Sequence, residues 1–162
     1  MKKLFIIRHA KSSWEDETLD DFDRPLNNRG FKNAVFMGKL LKKKDTNPDL
    51  IISSPALRTT ITSQIIANEI DYKKTIIFEP SIYEANENIL KEIIKNLKDG
   101  NNIVFLIGHN PGLSNLVGLL TSMNEDIPTC GIIEIDFQTN SWSEISKENS
   151  KLISYEYPKK YK

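Results

Sequence analysis

A chain of 162 residues is long enough to bury one hydrophobic core and fits a single domain, 1–162. With 39% apolar and 27% charged residues, it falls outside the disordered and fibrous classes. Its 22 basic and 22 acidic side chains cancel, so no global field draws it to nucleic acid or anionic lipid, and any charge logic is local.

The N-terminus reads MKKLFIIRHAKSSW. Two lysines precede only four strongly apolar residues, too few for the apolar segment of a secretory leader, and no later stretch approaches a membrane span. The expected location is the cytoplasm. The lone cysteine, Cys130, forms no intrachain disulfide and fits a reducing compartment; within "CGIIEI" it reads as a small buried hydrophobe. Oligomeric state stays open.

Along the chain, short apolar runs alternate with helical patterns. Leu4–Ile7, Leu50–Ile52, Thr75–Phe78 and Ile103–Ile107 are compact and rich in β-branched or aromatic residues, as in parallel strands covered on both faces. The intervening segments predict helices from about Asn28 to Lys43 and from Pro55 to about Glu69. Stripes at Ile89, Ile93 and Leu97 and at Leu113, Leu116, Val117 and Leu120 predict two more. The βαβαβαβα order predicts an α/β three-layer sandwich, a mostly parallel sheet with helices on both faces. Near the C-terminus Ile133, Ile135 and Phe137, then Ile153, Tyr155 and Tyr157, alternate with other residues and predict antiparallel strands at a sheet edge. The tail after about residue 157, YPKKYK, is expected to fray.

Ligands of open α/β sheets bind beyond the carboxyl ends of the strands. There the chain places Arg8-His9, Ser53-Ser54-Pro55-Ala56-Leu57-Arg58 and Gly108-His109-Asn110-Pro111-Gly112. Ser54 and Asn110 are expected N-caps, each followed by proline at the first helical position, so two helix N-termini face this edge and favour an anion. Taken singly, His9 reads as a structural hydrogen-bonder and Arg8 as a surface ion-pair partner. Both histidines of the chain fall at equivalent strand-to-helix junctions, however, and two arginines accompany them. Jointly they read as a phosphate site.

The segments RHAKSSW, DFDRPLNNRG, SSPALRTTITSQII, IYEA and LIGHNPGLSNLV, in that order, resemble the histidine phosphatase superfamily, and within it the SixA-type phosphohistidine phosphatases. The likeness runs from about Leu4 to Leu120 and implies a phosphoglycerate mutase-like fold. By that resemblance His9 is the nucleophile that becomes phosphorylated, and Arg8, Arg58 and His109 line the phosphate pocket. Glu84, in IYEA, matches the proton donor of larger members. Ser12 and Arg24 are further substrate-binding candidates; Arg24 could instead pair with the acidic loop Glu15–Asp23, and Ser12 and Ser13 could simply turn the chain. Glu84 could equally be an exposed loop carboxylate, with Asp21 or Asp23 supplying the proton. The cationic groups would do the work of a metal, so no metal or cofactor is expected.

Larger relatives carry a helical insertion after the acid, whereas here 25 positions separate Glu84 from His109 and one helix and one strand fill them. A site without a lid suits a phosphorylated side chain on a partner protein, phosphohistidine first. Two alternatives stay open: a broad small-molecule phosphomonoesterase of the same fold, and a phosphate-binding module without catalysis.

Overall fold

Strands β1 (Lys2–Arg8), β2 (Leu50–Ser53), β3 (Ile77–Phe78), β4 (Ile103–Gly108), β5 (Ile132–Phe137) and β6 (Ser150–Glu156) form one sheet in the order β3-β2-β4-β1-β5-β6. The structure is a computed structural model and describes residues 1–161. The first four strands in that order run parallel; β5 runs antiparallel to β1 and β6 antiparallel to β5, so β6 again runs in the direction of β1 and completes the opposite edge. This is the expected α/β architecture.

β1 shows why these runs lack alternation. Leu4 and Ile6 enter one core with Leu90, Ile94, Leu113 and Val117, while Phe5 and Ile7 enter a second with Ala34, Met37 and Ile66. α1 (Asn28–Lys43) and α2 (Leu57–Glu69) cover the second face, α3 (Glu87–Lys95) and α4 (Gly112–Leu120) the first. With both faces buried, every position from Leu4 to Ile7 is apolar, and each such side chain contributes roughly 1.5–3 kcal/mol of burial. Cys130 lies fully buried in the second core, where desolvation pushes its thiol up to about 12.

Three expectations need correction. β3 is only Ile77–Phe78, both exposed at the edge, because Thr75 and Ile76 find no partner on β2. In β6 the alternation fails: the pairing steps from Glu134–Ser154 to Ile135–Leu152, so a bulge at Ile153 inverts the parity and leaves Ile153 exposed. The tail does not fray at 157. Pro158–Tyr161 makes a 3-10 turn in which the Lys160 ammonium (2.5 Å) and the Tyr161 hydroxyl (2.5 Å) both reach the buried Glu156 carboxylate.

Candidate active site

Register builds the site. Parallel pairing sets Ile7 against Ile107 and Arg8 against Gly108, so the next residues to leave the two strands, His9 and His109, stand side by side with ring centroids 5.4 Å apart. On the other flank of β4, Ser53 pairs with Ile107, which brings the Ser54 hydroxyl within 2.8 Å of His109 Nε2.

His9 is buried, and its Nδ1 donates to the Ala10 carbonyl at 2.7 Å, leaving the Nε2 lone pair uncommitted. The backbone around it is tied down on three sides. The His9 amide donates to Gly108, the His9 carbonyl accepts from Cys130, and the Ala10 amide donates to Thr62 Oγ1 at 3.0 Å. Burial lowers the His9 pKa to about 4; Arg58, Arg8 and Arg24 add to the shift, and the Ala10 carbonyl opposes it. Burial, followed by His9 and the arginines, brings His109 to about 3. Both imidazoles are therefore neutral near pH 7.

Arg8 donates from Nη1 to the Ile127 carbonyl at 2.9 Å. Its Nε, like Nδ1 of His109, is buried with no hydrogen-bond partner among the described residues. Arg58 occupies the second position of α2 and is held by one residue of the acidic loop. Its Nη1 donates to the Asp21 carbonyl (2.7 Å) and its Nη2 to the Asp21 carboxylate (3.0 Å). The same carboxylate accepts from Arg24 Nη1 (2.9 Å) and from the Tyr83 hydroxyl (2.7 Å). Burial alone would raise the Asp21 carboxyl, but these donors outweigh it and bring it to about 2; burial and then the Asp21 anion push Tyr83 up to about 12. The Asp21 carboxylate thus accepts from three side chains, Arg58, Arg24 and Tyr83.

Of the two roles open to Arg24, the structure shows pairing. Nε donates to the Ser13 carbonyl, Nη1 to Asp21 and Nη2 to the Ser12 hydroxyl, and the guanidinium lies over the Trp14 ring at 3.2 Å. Arg24 and Ser12, expected to bind substrate, are bonded to each other because the loop folds back on itself between Ser12 and Leu26. Glu84 is exposed, with a left-handed φ of 60°, on the loop after Tyr83, whose ring stacks edge-on against His109 at 5.5 Å. Asp23 is exposed as well. Ser54 and Asn110 do not cap as expected: the helices begin after Ala56 and Pro111. Asn110 still accepts from the Ser114 amide, and Ser54 from that of Ala56.

Sequence reasoning missed the functions of Thr62 and Tyr83. Thr62 follows Arg58 by one helical turn and bonds both the Arg58 carbonyl and the Ala10 amide, so it ties α2 to the histidine loop. Its spacing of four from Arg58 was the available signal. Nothing local marks Tyr83.

The model of the histidine phosphatase superfamily (branch 1) matches residues 4–96. The chain belongs to that superfamily. An uncharacterized chloroplastic protein of Arabidopsis thaliana is 30% identical over 152 residues, which cover 88% of this chain and 70% of the relative. Phosphoglycerate mutase 1 of Saccharomyces cerevisiae is 33% identical over 73 residues, 44% of this chain and 30% of the mutase. Among solved structures, the Agrobacterium tumefaciens protein assigned as the phosphohistidine phosphatase SixA has 26% identity and a TM-score of 0.81, covering 97% of this chain and 98% of its own. The protein histidine phosphatase SixA complexed with tungstate has a TM-score of 0.84 at 19% identity and covers 99% of both chains, a likeness of fold. Among the described residues, no helix is long and apolar enough to cross a membrane.

Proposed function

We propose that this histidine phosphatase removes phosphate from phosphohistidine on a partner protein, through a phosphorylated His9 and without a metal ion. The observation that carries the reading is His9 itself, a neutral buried imidazole with Nδ1 bonded to Ala10 and Nε2 free, in register with His109. In the proposed reaction the Nε2 lone pair attacks phosphorus, a P–N bond forms, and the bond to the leaving imidazole breaks as that nitrogen gains a proton. Water then attacks phospho-His9, releasing phosphate and restoring the Nε2 lone pair. Arg8 and Arg58 would neutralise the phosphoryl oxygens, and the two buried unpartnered groups, Arg8 Nε and His109 Nδ1, are suited to donate to them. The Ser54 hydroxyl accepts from the Ala56 amide, and in this reading it donates its own proton to His109 Nε2, which would place the His109 proton on Nδ1, facing the phosphate.

The protein-borne substrate is supported by the rim. Trp14 is 73% exposed and Phe22 38% exposed, and Phe22 stacks on Tyr83, which stacks on His109. Exposed aromatic side chains continuous with a reactive centre suit contact with another macromolecule.

The test offers the protein phosphohistidine-bearing proteins and small phosphoesters, with and without EDTA, and traps the intermediate. Expected are preferential phosphohistidine turnover that survives EDTA and an acid-labile, alkali-stable label that is lost in His9→Ala. Label on serine, or activity that chelation removes and a divalent ion restores, would overturn the reading.

A further inference from the structure

Beside the site, at the same edge of the sheet, lies a cavity of about 230 Å3 lined by Lys11, Arg29, Lys159, Asn33, Thr129 and Tyr157, with Pro128 and Pro158 completing its wall. None of Arg8, His9, Arg58 and His109 lines it. Pairing fixes its position. Ile7 lies opposite Ile132 and Ile132 opposite Glu156, so Lys11, leaving β1, Thr129, entering β5, and Lys159, following β6, all gather at the end where His9 emerges. Neighbouring strands are ~4.8 Å apart, which puts the cavity on the order of 10 Å to the β5–β6 side of His9.

The floor is rigid. The Lys11 carbonyl accepts from the Asn27 amide, and Gly30 of α1 packs so closely on that carbonyl that any larger residue would collide with it. Three cations meet in this cavity and no carboxylate lines it. Among the described residues Lys11, Arg29 and Lys159 form no ion pair, although six other Lys and Arg side chains do. Asp21 and the exposed Glu84 lie towards α2 and Tyr83 and Asp126 acts on Arg8, whereas the cavity beside β5 and β6 is lined by unpaired cations and by no carboxylate.

We propose that this cavity takes an acidic side chain of the phosphoprotein, an Asp or Glu about two to four residues from the phosphohistidine, and so selects partners by the charge flanking the phosphorylated residue. This deepens the proposed function and rests on it. An extended segment advances ~3.3 Å per residue, so a flank of that length spans the gap. At about 230 Å3 the cavity has room for an acidic side chain, and its three exposed cations would also fix the direction in which the segment crosses the site.

The test compares kcat/KM of the wild type and of the Lys11→Ala/Arg29→Ala/Lys159→Ala variant on two phosphohistidine peptides, one with an acidic flank and one with alanines, and on a small phosphoramidate. The expected result is an acidic-flank preference on the order of tenfold at low salt, fading at ~1 M salt, where the Debye length is ~3 Å. The variant should lose the preference while its phosphoramidate turnover stays unchanged. Equal rates on the two peptides, or a preference that survives in the variant, would overturn the cavity's assignment and leave the proposed function standing. If neither peptide reacts while phosphoramidate does, the phosphoprotein reading itself fails. Dependence of a small bisphosphate on the same three residues, without peptide turnover, would instead give the cavity to a metabolite's second phosphate.

Discussion

Asp21 holds Arg58 twice, by its carbonyl at 2.7 Å and its carboxylate at 3.0 Å, and so connects the acidic loop to the arginine that the proposed reaction needs for phosphate. Arg58 keeps Nε–H and the second hydrogens of both Nη for a ligand. Asp21→Asn preserves the shape but removes the charge that fixes the guanidinium. A fall in kcat/KM of about tenfold, carried mainly by KM, is the expected outcome of steady-state kinetics. A lower KM would mean that the carboxylate competes with phosphate instead of orienting Arg58.

The chain has only two histidines, so their titration can be followed directly by NMR. With His9 lowered to about 4 and His109 to about 3, both rings should remain neutral midway between about 4 and the ordinary value of 6.5. The unfolded chain takes up protons near 6.5 and the native state only near 4, so the unfolded state binds more protons across that window. Stability should therefore rise with pH there and fall on acidification, by up to about 1.4 kcal/mol per pH unit for each histidine. A midpoint near 6.5 for either ring would contradict its burial.

Glu84→Gln should separate substrates by leaving group. The swap keeps size and hydrogen bonding but removes a transferable proton. An alkoxide needs a donor in the transition state, so alkyl phosphates should lose ~10²–10⁴-fold in kcat/KM, whereas a phosphohistidine nitrogen can be protonated early and should lose far less. Equal losses would mean that Glu84 only shapes the loop; no loss on either would pass the acid role to Asp23 or remove it.

Gly112, at the start of α4, packs against the Ala85 carbonyl so tightly that a Cβ would collide with it. Gly112→Ala should force the Tyr83–Ala85 loop away from the end of β4, at about 1–3 kcal/mol by thermal unfolding, and lower activity through the displaced Tyr83. Wild-type stability in this variant would show that the loop is free to shift.

Strand cores, helix spans and the four polar residues at the strand ends were legible because each follows from local pattern. Apolar runs without alternation require cover on both faces; Arg8, His9 and His109 stand where such runs stop, and Arg58 stands in the first turn of the helix that follows β2. α1 runs from Asn28 to Lys43, as its pattern predicts, because Asn27 caps it through the Gly30 amide and the apolar stripe ends at Leu41.

What the sequence could not determine is what joins residues far apart along the chain. Asp21 meets Arg58 across 37 positions and Tyr83 across 62, and only the folded loop decides that this one carboxylate of six accepts from three donors. Composition likewise assigns Arg24 no partner; the return of the chain from Ser12 to Leu26 sets its guanidinium between Asp21 and Trp14. Sequence fixes residue types and local periodicity, whereas charge pairing depends on distances that exist only after the sheet has set its register. The same register brings Lys11, Arg29 and Lys159 to one cavity from three separate parts of a chain whose net charge is zero.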